Sequence, residues 1–268
     1  MQSLYSYIRT FNIDGHRHVF SHRGINTMTF GDGCIGFMDI EYDCLDQYKD
    51  IPAMYNSYIR DYIKGTKDLA QRRTKLLATA LTIDDIKKIY NDHLDTIVGF
   101  GELKLYDNFK GKDLKFKRIS FARDVCKFSQ QVGCLPVYIH YELTEDKEVK
   151  AFGKLLTDFP DVPIVLCHLG MNEHNQQYAW GAAKKLAWEH GNCWLDISWD
   201  AARWLATNPM LITQLPVDRI FWGSDTSPRL KVHGFISASF DEIYGWRNSF
   251  MSYLDSDKNI KRLFNEKS

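Results

Sequence analysis

From about residue 73 to its end the chain repeats one pattern: a short apolar or β-branched run, a turn, an amphipathic stretch, then another run. That alternation argues for parallel strands joined by crossover helices. The candidate strands are residues 74–81, the runs ending at Glu102 and Lys104, at His140 and at His168, residues 192–198, and the run ending at Asp225. Helices fit between them. One over 82–91 has Thr82 as N-cap and acids in its first turn. Another, around 117–131, stops at Gly133, a C-cap signal. Further helices are expected around 146–157, around 180–190 before Gly191, and from about 200, with a final helical pair over roughly 240–267.

Counted backward, these strands are numbers three to eight. Strand one is the apolar run 11–20. Strand two is best placed at 33–42, with a helix around 53–70 after it. No helix reads between the first two strands. Either it is missing, or residues 21–30 form an enlarged active-site loop. Eight such units close into a barrel of about 250 residues, and the chain has 268. No Pro/Gly/Ser-rich linker or low-complexity tract divides it. The expectation is therefore a single-domain α/β protein, a (β/α)8 TIM barrel over 1–268 with a modified region after strand one.

Barrels of this kind draw their functional groups from the C-terminal ends of strands, and the ligand-type residues of this chain fall there. His16 and His18 are two apart on strand one, so their imidazoles leave the same face. Glu102, His140, His168 and Asp225 end later strands. A lone buried histidine is more often a hydrogen-bonded core residue than a ligand, but an ordered set at one mouth points to metal. Imidazole with carboxylate selects a borderline divalent ion, Zn²⁺ first, with Mn²⁺, Fe²⁺, Co²⁺ or Ni²⁺ as alternatives. Cys167 should point away from the face of His168, so no thiolate is expected to join. Such a site activates water, and Asp225 is suited to hold that water and accept its proton. Asp225 could instead cap a helix, and Glu102 with Lys104 could be an interior ion pair.

The ordered set resembles the amidohydrolase superfamily, in particular its amidohydrolase-related (amidohydrolase-2) branch. Gly99-Phe-Gly-Glu-Leu-Lys-Leu-Tyr106, Trp194-Leu-Asp-Ile-Ser-Trp199, Phe221-Trp-Gly-Ser-Asp-Thr226 and Asn259-Ile-Lys-Arg-Leu-Phe264 are similar to that branch's fourth, seventh and eighth strands and its closing helix. The likeness spans nearly the whole chain except about 21–70. It implies that His16, His18 and Asp225 hold the more buried ion and that His140 and His168 hold a second. Glu102 or Lys104 would bridge them. Glu102 is favoured as the bridge, with Lys104 orienting substrate or pairing with Glu102. The implied activity is a metal-dependent hydrolase that uses a metal-activated water to cleave an amide, ester, lactone or phosphoester bond of a small molecule. The alternatives are a metal-dependent decarboxylase of an aromatic or enoic acid, a TatD-like nuclease, or an inactive ligand-binding barrel. The Leu-Lys-Leu after Glu102 counts against the nuclease.

Charge and cysteine content bear on partners and compartment. Lys plus Arg and Asp plus Glu are both 34, so no global field favours nucleic acid or an anionic membrane. The basic stretch 110–118 reads as a solvated loop. Six scattered cysteines without a C-x-x-C read as reduced thiols in a cytoplasmic protein. Neither a secretory signal nor an apolar run of about 20 residues is visible. The expected partner is a small-molecule substrate, with homo-oligomerisation left open. Tyr138 and Glu142 are candidates for a substrate pocket. His22, Arg23, His174, Trp199, Arg203 and Arg229 follow strands but read as solvated or locally paired. His93 and His190 fall on helices.

Overall fold

A strand covered on both faces must carry apolar side chains on both, and each run expected to be a strand does so. The computed structural model describes residues 13–21, 24–25, 34–38, 50–65, 75–105, 115–225 and 240–265. Eight strands in it run parallel and pair in chain order: β1 (Asp14–Ser21), β3 (Cys34–Met38), β4 (Lys75–Ala78), β5 (Ile97–Lys104), β6 (Val137–His140), β7 (Ile164–Leu166), β8 (Cys193–Ile197) and β9 (Ile220–Trp222). The helices between them are α1 (Ile51–Gly65), α2 (Ile83–Asp92), α3 (Lys115–Gln131), α4 (Asp146–Asp158), α5 (Gln176–Glu189) and α6 (Trp199–Ala206), and α7 (Phe240–Phe250) and α8 (Ser256–Leu263) follow the last strand. This is the α/β TIM-barrel architecture.

Side-chain alternation sorts the core into two layers. Leu77, Tyr138, Val165, Trp194 and Phe221 point inward and pack with Ile260 and Leu263 of α8. Their neighbours Leu76, Val137, Ile139, Ile164, Leu166, Leu195 and Trp222 point outward, against Ile86, Val125, Leu155, Leu186 and Leu205 of the surrounding helices. Thr82 caps α2 as expected, its hydroxyl accepting from the Asp85 backbone N–H at 3.2 Å. Gly133 takes the left-handed φ of 104° that a residue without Cβ allows.

Three features differ from the expectation. First, a two-residue strand, β2 (Gly24–Ile25), follows β1 and pairs with it antiparallel, Phe20 opposite Ile25. The modified region therefore begins as a short hairpin; residues 26–33 lie outside the described residues. Second, the run toward His168 leaves the sheet at Leu166, and His168 and Leu169 adopt left-handed φ of 52° and 56°. Third, β9 ends at Trp222, three residues before Asp225, which also has a left-handed φ of 52°.

The seam between β9 and β1 is special. No residue-by-residue ladder joins these two strands among the described residues. Instead the Asp225 N–H donates to the His16 carbonyl at 2.9 Å. The Ser224 N–H and hydroxyl donate to the two carboxylate oxygens of buried Asp14, at 2.8 and 2.6 Å. The backbones approach so closely that a Cβ on Gly223 would collide with the Cβ of His16 and lie 2.8 Å from its backbone nitrogen. We predict that Gly223→Ala destabilises the protein by about 1–3 kcal/mol through overpacking. Gly181→Ala, on α5 where nothing lies within 4 Å of the added carbon, should stabilise it by about 0.5–1 kcal/mol. Urea denaturation of the two variants checks both signs.

Candidate metal centre

The seam brings His16 and Asp225 together, and the neighbouring strands supply the rest of one cluster. His16, fully buried on β1, directs Nε2 to within 3.2 Å of Asp225 Oδ1 and 4.0 Å of Glu102 Oε1. Glu102, on β5, places the same Oε1 at 3.0 Å from His140 Nδ1 and 3.2 Å from His168 Nε2. His140 ends β6, and His168 occupies the turn after β7. Donor atoms of His16, Glu102 and His168 all lie within 4.8 Å of one another. Glu102 owes its position to Gly101, whose φ is 115° and where any Cβ would collide with the Tyr138 carbonyl oxygen. The Gly101 carbonyl is held by the Thr79 hydroxyl.

Asp196, on β8, lies beneath this cluster with no exposed surface. Its Oδ2 is 2.6 Å from His16 Nδ1 and 2.6 Å from the Ser198 hydroxyl, and the hydroxyl is 2.6 Å from His168 Nδ1. His16 and His168 thus spend one ring nitrogen on Asp196 and Ser198 respectively and turn the other toward Asp225 or Glu102.

The electrostatics follow from crowding. Burial favours neutral imidazole at His16, but the Asp196 and Asp225 carboxylates outweigh it and hold its pKa well above the ordinary histidine value. At His168 burial is likewise outweighed, chiefly by Asp225 and Glu102, and the pKa is raised. At His140 burial wins over Glu102 and the pKa falls. Burial pushes Glu102 up, yet His140, His168 and Lys104 together hold it well below the usual carboxylate range. Glu102, Asp196 and Asp225 therefore share a space that demands positive charge, since buried anions are costly unless paired.

That demand fits a divalent cation. Carboxylate oxygens and imidazole nitrogens converge as zinc-type ligands do, and carboxylate-oriented histidines are the usual support around such ions. His16, Glu102, His140, His168 and Asp225 are the residues able to hold one or two ions.

Of the residues singled out in the sequence, these five come together. The backbone of His18 lies on β1 opposite Phe37; its side chain is outside the described residues, as are His22, Arg23 and Arg229. Lys104 is at the end of β5, its Nζ 4.0 Å from Glu102 Oε2. Glu142 lies past the end of β6, half-buried. Trp199 packs edge-on against Trp246 at 6.5 Å. His174 is exposed beside Glu173, Arg203 is exposed, and His93 and His190 close α2 and α5.

Two expectations are overturned. Cys167 does not point away from the site. It continues the alternation of β7, with Val165 inward, Leu166 outward and Cys167 inward, grouped with His16 and Asp196 within 4.8 Å. It is His168, with its left-handed backbone, that departs from the alternation to reach the same side. Its thiol is pushed well up by burial. Tyr138 lines no substrate pocket; it is fully buried in the interior layer, with its ring 5.8 Å from that of Phe221. Asp196 and Ser198 were missed. The available signal was an acid and a hydroxyl two apart, in register with inward-facing Trp194, at the end of an otherwise apolar strand.

Comparison with known proteins bears on the family and the fold. Residues 134–266 match the amidohydrolase family. No curated protein sequence matches the chain significantly. Among solved structures, an amidohydrolase from Burkholderia multivorans superposes with a TM-score of 0.63 at 11% identity, covering 96% of this chain and 100% of that one; a zinc-bound form of it gives 0.61, also at 11% identity, with the same coverage. An amidohydrolase 2 from Bifidobacterium longum subsp. infantis gives 0.55 at 13% identity, over 96% and 99% of the two chains. A candidate 2-pyrone-4,6-dicarboxylic acid hydrolase from Pseudomonas putida gives 0.54 at 13% identity, over 94% and 97%.

The left-handed φ of Gly101 and the collision awaiting any Cβ there generate a prediction. Gly101→Ala should lower stability by about 3 kcal/mol or more and displace Glu102, so that the variant also loses metal. Thermal melts paired with metal analysis check both effects.

Proposed function

Because the chain belongs to the amidohydrolase family and is an enzyme of that type, we propose that it is a metal-dependent hydrolase of a small molecule, cleaving an amide, ester, lactone or phosphoester bond. The observation that supports this reading is the convergence of His16, Glu102, His168 and Asp225 on one buried point, with two imidazole Nε2 atoms facing carboxylate oxygens. Zn²⁺ is the favoured ion on its ligand preferences. A divalent ion held there supplies Lewis acidity, which brings the pKa of water to about 7 and polarises the bond to be cleaved.

The chain's own residues carry the remaining work. Asp225 sits at the open side of the cluster with its side chain 16% exposed, so it can orient a water and take its proton. Glu102 is fully buried and touches both His140 and His168, which suits it to hold the ligand set together. His18, two residues beyond His16 on β1, would complete the ligands. Lys104, partly exposed beside Glu102, would orient an anionic or polar group of the substrate. A small-molecule substrate is consistent with the absence of net charge. Among the described residues no helix is long and apolar enough to cross a membrane.

Metal analysis of protein grown with Zn²⁺ should find one to two ions per chain. His16→Ala should reduce this below one. Asp225→Asn should retain most of the metal while losing at least ~100-fold in turnover, the scale of a general acid or base. Metal-free wild-type protein, or undiminished turnover in Asp225→Asn, would contradict the assignment. Release of CO₂ from a substrate, with no water incorporated, would replace hydrolysis by decarboxylation.

A further inference from the structure

One oxygen of Asp196 gathers three donors. It lies 2.6 Å from His16 Nδ1, 2.6 Å from the Ser198 hydroxyl and 3.4 Å from the backbone N–H of His168. A carboxylate has no hydrogen to give, so each of these partners must donate to it. His16 therefore carries its hydrogen on Nδ1, and its Nε2 is left to face Asp225 and Glu102.

The same bookkeeping settles His168. A serine hydroxyl has one hydrogen, and that of Ser198 is committed to Asp196. At its 2.6 Å contact with His168 Nδ1, Ser198 can only accept. His168 must then carry a hydrogen on Nδ1 and present Nε2 to Glu102 Oε1, 3.2 Å away. The two histidines come from β1 and from the turn after β7, far apart in sequence, yet one carboxylate oxygen fixes the hydrogen position of both.

We propose that Asp196 and Ser198 are positioning residues: Asp196 orients His16 directly and His168 through Ser198, so that both Nε2 atoms face the ligand cluster. The inference rests on the metal reading above. It also accounts for the turn at His168, because the Asp196 oxygen that receives the relay accepts the backbone N–H of a residue in a left-handed conformation. Asp196 touches no reacting atom in this scheme; it acts through the histidines.

The test is zinc affinity of the metal-stripped protein, measured by chelator competition for wild type, Asp196→Asn, Ser198→Ala, Ser198→Thr and the double variant Asp196→Asn/Ser198→Ala. Loss of an orienting partner costs about 10–100-fold in metal affinity. Ser198→Ala should weaken zinc by roughly 10-fold and Asp196→Asn by at least as much, on the same scale. The double variant should be no weaker than Asp196→Asn alone, because Ser198 works through Asp196. Ser198→Thr keeps the hydroxyl and should restore affinity. The d–d absorption of Co²⁺-loaded Asp196→Asn should differ from wild type, a signature that altered packing elsewhere would not produce. Urea denaturation of the metal-stripped forms separates folding from binding. Lower stability with unchanged zinc affinity would make Asp196 merely structural and overturn the inference, as would fully additive losses in the double variant. If wild type itself binds no zinc, the metal reading fails and this inference falls with it; tight binding by wild type and Asp196→Asn alike overturns the inference alone.

Discussion

Three carboxylates, those of Glu102, Asp196 and Asp225, meet three imidazoles, those of His16, His140 and His168, inside the mouth of a barrel. This crowding is the constraint on which the rest depends. An interior of this kind tolerates such charge only where each group has a partner of opposite sign. The hydrogen bonds on the β8 side use up one nitrogen on each of His16 and His168. What remains are imidazole lone pairs turned toward carboxylate oxygens, an arrangement that protons or a divalent cation resolve. The raised pKa of His16 and the depressed pKa of Glu102 are two expressions of that one demand.

The barrel is shaped around this cluster. Close approach at the seam requires Gly223 beside His16, and close approach at β5 requires Gly101 beside the Tyr138 carbonyl. Asp14 ties the segment carrying Asp225 to the strand carrying His16. Below, the interlocked layer of Tyr138, Trp194 and Phe221 with Ile260 and Leu263 gives the polar groups a rigid floor. Left-handed backbone at His168 and Asp225 turns both side chains in from beyond their strands. Such conformations cost about 1–3 kcal/mol each and are offset here by the Asp196 and His16 backbone contacts.

Much of this was legible in the sequence because it depends on periodicity. The βα alternation from residue 73 gave the order of strands, and the Thr82 cap and Gly133 stop placed the ends of α2 and α3. Glu102 and His140 could be read as strand ends because their side chains obey the two-residue alternation. His168 could not be read in this way, since its left-handed backbone breaks the alternation that Val165, Leu166 and Cys167 keep, and a left-handed histidine carries no local signature; the side of Cys167 was misjudged with it. Asp196 was overlooked for a related reason: in a strand apolar on both faces, one acid resembles an exception when it is the residue on which the neighbouring ligands depend. The seam contacts join residues some 210 positions apart, a relation no local pattern encodes.

The account stands on a cation residing among these side chains. Anomalous diffraction at the zinc edge from crystals of the zinc-loaded protein tests that most directly. The predicted result is a peak bounded by His16 Nε2, His168 Nε2, Glu102 and Asp225. Full zinc occupancy elsewhere on the molecule, or no peak inside the barrel mouth, would contradict it.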